Sequence, residues 1–179
     1  MNFRPQQAQF DGLESVIRAA QVRAELDIRE RFNHAQCESY IERLFLAALY
    51  AATAYRPHIN GPTRVLPTAL GTTGPEAGSP TDGLYIALQV QYGPRRADFV
   101  VWAHDGKKWK PLVVECDGHD FHERTKEQAA KDRDFDRYVQ RSGATIFRFT
   151  GQQIVNKPDS CAYEVLRWAD QQIVAGPHG

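Results

Sequence analysis

Residues 111 to 136, PLVVECDGHDFHERTKEQAAKDRDFD, constrain the fold more than any other stretch of the chain. An apolar run suited to a buried strand passes without a break into Glu115, Asp117 and Asp120, and then into a highly charged segment of helical composition. Carboxylates at the end of such a strand are costly to bury unless cations or a metal ion meet them. The chain must therefore bring partners to this strand end from other segments.

Two strand-like runs lead up to it. LYIALQVQYG and RRADFVVWAH are joined by Gly93-Pro94, and Asp105-Gly106 then turns the chain into PLVVECDG, so the three runs read as a β-meander. The charged segment from about residue 122 to 141 reads as a helix with Phe135, Tyr138 and Val139 on its apolar side, closed by Gly143. ATIFRFT is a fourth strand, and SCAYEVLRWADQQIVA a last amphipathic helix started by Asp159 or Ser160. Upstream, CESYIERLFLAALYAATAY places Ile41, Leu44, Phe45, Ala48 and Leu49 on one helical stripe and ends before Pro57. Residues 56 to 83, dense in Pro, Gly and Thr, read as a long loop. Residues 1 to 34 read as a helical arm and 35 to 176 as a single domain.

The fold class expected is α/β in the order α-β-β-β-α-β-α, with a mixed central sheet of about four strands flanked by helices. At 179 residues the chain suffices for one domain with a substantial core. Lys plus Arg equals Asp plus Glu at 22 each, which weighs against a purely electrostatic binder of polyanions. Cys37, Cys116 and Cys161 form no CxxC pattern, and no apolar stretch matches a signal peptide or a membrane span. A cytoplasmic protein with no membrane association is expected.

The chemistry lies at the strand ends. Should the second and third runs pair around Asp105-Gly106, Asp98 and Glu115 stand in opposed positions. Alternation puts Glu115 and Asp117 on one face and leaves the backbone carbonyl of Cys116 as a further oxygen ligand. Hard oxygen donors of this kind suit Mg²⁺, with Mn²⁺ as a substitute, and not Zn²⁺.

An acid in a hairpin strand, an apolar strand ending in Glu115-Cys116-Asp117-Gly118, a charged helix and the strand IFRFTGQQI together resemble the PD-(D/E)xK nuclease superfamily. More narrowly, the chain is similar to the restriction-endonuclease-like branch with an ECDG motif, related to the very-short-patch repair endonucleases. The resemblance covers roughly residues 36 to 170 and is most specific over 111 to 154. It implies a three-layer sandwich and Mg²⁺-dependent hydrolysis of phosphodiester bonds in nucleic acid, DNA before RNA. Asp98 matches the motif acid, Glu115 the first acid of the paired motif, and Glu42 the helical acid that completes a metal shell, so the implied ligands are Asp98, Glu115, Glu42 and the Cys116 carbonyl. Asp117 stands where the superfamily has lysine, a departure the ECDG branch shares; Glu42 or Asp117 would orient the attacking water. Lys126 and His122 would stabilise the transition-state charge or protonate the leaving oxygen. The branch's helical Asp-x-x-Arg-Asp is here Asp132-x-x-Phe135-Asp136, without the arginine.

Plainer readings stand beside these. Asp98 next to Arg95 and Arg96 also fits a salt-bridged strand end, and Glu42, three residues after Ser39, also fits a capping box. Arg148 fits either a phosphate contact or the polar face of an alternating strand. Trp102, Trp109 and Trp168 read as core or interface residues and not as base-stacking platforms. The alternative to an endonuclease is a catalytically weak or inactive nucleic-acid-binding module on the same scaffold; a carboxylate-pair glycosidase explains the acids but not the rest. A homodimer would suit double-strand cutting.

Overall fold

The computed structural model describes residues 37–54, 63–65, 74–76, 78–81, 83–118 and 125–174. The chain divides into two units, Met1–His34 and Ala35–Gly179, and every described residue belongs to the second. The expected N-terminal arm lies outside the described residues.

In chain order the described elements are α1 (Tyr40–Ala54), β1 (Thr63–Val65), β2 (Leu84–Tyr92), β3 (Arg95–His104), β4 (Trp109–Asp117), α2 (Lys126–Arg141), β5 (Thr145–Thr150), α3 (Gly151–Asn156) and α4 (Pro158–Val174). They form an α/β structure around one open, mixed sheet of order β1-β2-β3-β4-β5. β2, β3 and β4 are the expected antiparallel meander, and β1 and β5 add to its two sides in parallel. The parallel β4–β5 pairing follows from the crossover through α2, since two neighbouring parallel strands cannot be joined by a tight turn.

Each hairpin turn has a local cause. Gly93 takes φ +62 between β2 and β3, and Gly106 takes φ +87 between β3 and β4. At the second turn the Asp105 carboxylate accepts the amides of Lys107 and Lys108 at 2.9 and 2.8 Å, which holds its pKa down at about 2. The first two of the three helices after β4 begin with a capping box that is legible in the letters: Thr125-x-x-Gln128 for α2 and Thr150-x-x-Gln153 for α3.

Both faces of the sheet are covered. On one, Phe135 and Val139 of α2 join Tyr85, Val100, Trp102 and Val113 in a buried cluster. On the other, Phe45 of α1 packs its ring against Phe99 and Phe149 at centroid distances of 5.3 and 5.6 Å. Ile154, Val165 and Leu166, from α3 and α4, are also fully buried, and α4 packs on α1. Trp102 and Trp168 are core residues as expected, whereas Trp109 is half-buried.

Several features differ from expectation. The segment read as a structureless loop contains β1, whose three residues pair with Leu84 to Ile86 but carry too little periodicity to be noticed. A short helix, α3, intervenes between the last strand and the last helix. That last helix starts at Pro158, where a proline has no amide to lose, and not at Asp159 or Ser160. Among the described residues no helix is long and apolar enough to cross a membrane.

A Cβ added at Gly93 would clash with the Tyr138 ring, on a backbone that L residues rarely adopt. Gly93→Ala is expected to destabilise the domain by about 1–3 kcal/mol in urea denaturation. Tyr138→Ala in the same chain should recover the steric share only, leaving the cost of the positive φ.

Candidate active site

The site begins where the β-meander stops being regular. Pairing of β3 with β4 runs from His104↔Trp109 to Phe99↔Val114. The next step would set Asp98 opposite Glu115, as the sequence predicts. In place of a ladder bond, the Asp98 carboxylate accepts the amide of Cys116 at 2.7 Å. In an extended strand the N–H and C=O of one residue point to the same edge, so the Cys116 carbonyl is directed toward Asp98 as well.

On the other side of β3 the irregularity is mirrored. Leu88 pairs with Phe99 and Val90 with Ala97, but the intervening Gln89 and Asp98 do not pair, and Gln89 has φ +53. Tyr85 and Ala87 share a core cluster with Val90 and Tyr92, so the alternation of β2 reverses at Gln89. β3 reverses opposite it, since Ala97 lies in the same cluster as Val100 and Trp102. Strict alternation from Val100 would send Arg95 to the far face. The reversal puts it on the face of Glu115.

Glu115 is therefore a buried acid, 2% exposed, with charges arranged around it. Its Oε2 lies 2.9 Å from Arg95 and 3.8 Å from Arg148. Its Oε1 is buried with no hydrogen-bond partner among the described residues. Burial first, and then repulsion from Asp98, push the Glu115 pKa up to about 7, against the pull of Arg95, of Arg148 and of the Asp98 backbone amide. Burial also raises Asp98 to about 6; the Cys116 amide and Arg95 oppose that rise, and the charges of Glu42 and Asp117 add to it. The Cys116 thiol, desolvated and ringed by these acids, is pushed well above its usual range.

Outside this pair lies an ionic lattice. Arg95 donates to Asp132 of α2 at 2.6 Å, and its guanidinium stands 5.3 Å from the centroid of the Phe135 ring. Arg148 of β5 donates to Asp136 through two nitrogens at 3.0 and 2.8 Å and to Asp117 at 3.4 Å. The helix lacks an arginine at position 135, and the strand supplies the cation instead, laid over the phenylalanine that stands there. Sequence reasoning named Arg95 as a neighbour of Asp98 only. The reversal that turns it toward Glu115 leaves no trace in the hydrophobic pattern.

The other expected site residues are placed as follows. Glu42 is buried at the start of α1, and both its oxygens already accept hydrogen bonds: Oε1 from the Ser39 hydroxyl, Oε2 from the Glu38 amide and from Gln89 Nε2. Only half of the expected capping box forms: the Glu42 amide donates to the Ser39 hydroxyl at 3.1 Å, but the Glu42 carboxylate takes the amide of Glu38 in place of that of Ser39, and ligation by Glu42 would require one of its donors to let go. Its charge still reaches Asp98. Lys126 is exposed at the first turn of α2, and among the described residues no bond ties it to the acids. His122 lies outside the described residues.

Among the described residues no group of three His, Cys, Asp or Glu side chains is gathered for a metal ion. The pair Asp98 and Glu115 nevertheless fits a hard dication on chemical grounds. Two carboxylates hold each other's negative charge in check, one buried oxygen lacks a donor, and the Cys116 carbonyl lies on the strand edge that faces Asp98. Mg²⁺ keeps several waters and needs few protein ligands. No family model matches the chain, and neither does any curated protein or solved structure.

Two consequences are measurable. A carboxyl whose folded-state pKa is raised holds its proton more tightly folded than unfolded. The Glu115 contribution is complete below about 4.5 and is lost as pH climbs through about 7. In chelator, the urea midpoint should therefore fall between pH 5 and pH 8, and Glu115→Gln should flatten that fall. Arg148→Met strips Asp136 and Asp117 of their shared cation, and a loss of about 2–4 kcal/mol is expected at pH 7.

Proposed function

We propose that this chain is a metal-dependent endonuclease that hydrolyses phosphodiester bonds in DNA, built on the restriction-endonuclease-like sandwich of the PD-(D/E)xK nucleases. The observation that carries the reading is the placement of Asp98 against the Cys116 amide, directly beside the buried, half-unsatisfied Glu115. The element order from β2 to α4 and the flanking helices are compatible with that sandwich.

Asp98, Glu115 and the Cys116 carbonyl would hold a Mg²⁺ ion, with Glu42 as an outer partner. When bound, such an ion polarises a phosphoryl oxygen and makes its water a stronger nucleophile. The chain's own residues do the remainder. Asp117 stands where a motif lysine would be and shares the Glu115 face, so it orients the attacking water in place of donating to it. Positive charge at the site comes from Arg95 and Arg148, which offset the acids and approach the substrate's phosphates. Lys126 and His122 are the candidates for protonating the leaving oxygen; Lys126 has to swing in from the exposed first turn of α2. A cytoplasmic setting agrees with three free thiols at Cys37, Cys116 and Cys161.

A second reading, a non-cleaving binding module on the same scaffold, draws on a specific observation. Arg95 already meets Glu115 at 2.9 Å, and the motif lysine is Asp117. The two readings separate in one experiment. Purified protein is incubated with supercoiled, linear and single-stranded DNA, and with RNA, in Mg²⁺, Mn²⁺ or chelator. Cleavage of DNA that needs the metal is expected, falling about a hundredfold or more in Asp98→Asn and in Glu115→Gln. Cleavage that survives both substitutions removes the site assignment. Metal-dependent DNA binding with no cleavage by any variant favours the module.

A further inference from the structure

The contacts of Arg95 differ from those of an ordinary ion pair in three ways. Its fork is split, with Nη1 on Asp132 at 2.6 Å and Nη2 on Glu115 at 2.9 Å, so one bond can be released without loosening the other. The guanidinium rests over the Phe135 ring, a hold independent of Glu115. Exposure is also asymmetric: the arginine side chain is 40% exposed, while Glu115 is 2% and Asp132 18% exposed. The arginine side chain thus reaches solvent while its Nη2 covers a buried acid. Arg95 satisfies only Oε2 of that acid and leaves Oε1 without a donor. A cation that serves half of a buried carboxylate is a weaker partner than a dication able to take both oxygens.

We infer that Arg95 is an exchangeable counter-ion: it neutralises Glu115 until a divalent cation takes that carboxylate, and then, still anchored by Asp132 and Phe135, presents its freed Nη2 to the phosphodiester. The inference rests on the nuclease reading above and deepens it. It makes Arg95 a positioning residue that couples cation binding to substrate contact. A guanidinium suits the second task because its planar donors match phosphate oxygens. Arg96, the next residue, has no such part: it is exposed and paired with the exposed Glu38 at 2.7 Å.

The test uses the full chain, ¹⁵N-labelled, titrated with Mg²⁺ in the absence of nucleic acid and followed by calorimetry and by the guanidinium resonances of arginine. The Arg95 signal, assigned by its loss in Arg95→Lys, is expected to shift as Mg²⁺ binds, while that of Arg96 stays in place. Arg95→Gln should bind Mg²⁺ about tenfold tighter than wild type, and Arg96→Gln like wild type. Where the neutral variant is unstable, Arg95→Lys serves instead: it keeps the charge but loses the split fork, and should bind several-fold tighter. An Arg95 resonance that stays put while the protein takes up Mg²⁺ overturns the exchange and leaves the nuclease reading standing. No uptake by wild type or by either Arg95 variant overturns both.

Discussion

The domain is organised around the cost of keeping the Glu115 carboxylate out of water. At 2% exposure it sits in the middle of a sheet whose neighbours are Val113, Val114 and Phe149, all buried. A lone ionised acid in such a place would be expelled or protonated, so positive charge has to come to it. Three segments contribute: β3 sends Arg95, β5 sends Arg148, and α2 sends Asp132 and Asp136 to hold both arginines in place. The lattice compensates the acid without fully satisfying it. That partial compensation is what distinguishes a site from a structural ion pair, because a fully satisfied carboxylate has nothing left to offer a ligand.

The reversal of alternation at Gln89 and Asp98 is the backbone device that makes this possible. An L residue at φ +53 inside a strand is unfavourable by itself, and such residues persist where the surroundings over-determine them. Here the surroundings are identifiable. Gln89 is fastened to Glu42 of α1 by its side chain at 2.8 Å, and Asp98 to β4 through the Cys116 amide. One irregular pair thereby redirects Arg95 and places Asp98 at the edge of the ladder.

Much of the fold was legible in the letters, and the reasons are physical. Gly93 and Gly106 mark both hairpins because each takes a positive φ that other residues resist. The stripe of α1 and the apolar strands announce themselves by period, and Asp98 opposite Glu115 follows from register once the Asp105-Gly106 turn is placed. β1 was not legible, since three residues cannot show a period. Thr150-x-x-Gln153 is a capping signal that could have revealed α3 but sat inside what reads as the end of a strand. The helix that follows β4 begins at Lys126, not near residue 122, and its own signal, Thr125-x-x-Gln128, was equally available. The Arg95 contact was out of reach, because it depends on a change of face that no pattern of apolar residues encodes. Arg148 was ambiguous for a different reason: a parallel partner across a crossover gives no local hint of which acid it will stand beside.

The crossover also makes the two arginines at Glu115 unequal in the length of chain that must close to bring them there. The meander of β2, β3 and β4 is closed by turns of a few residues, so its strands find each other at small entropic expense. β5 is separated from the meander by the whole of α2 and carries Arg148, while α2 carries Asp132 and Asp136. The acid pair and Arg95 thus lie together on the locally connected meander, whereas Arg148 reaches Glu115 from beyond the crossover. Of the two cations that Glu115 meets among the described residues, Arg95 is the one whose approach closes the shorter stretch of chain and costs the less entropy.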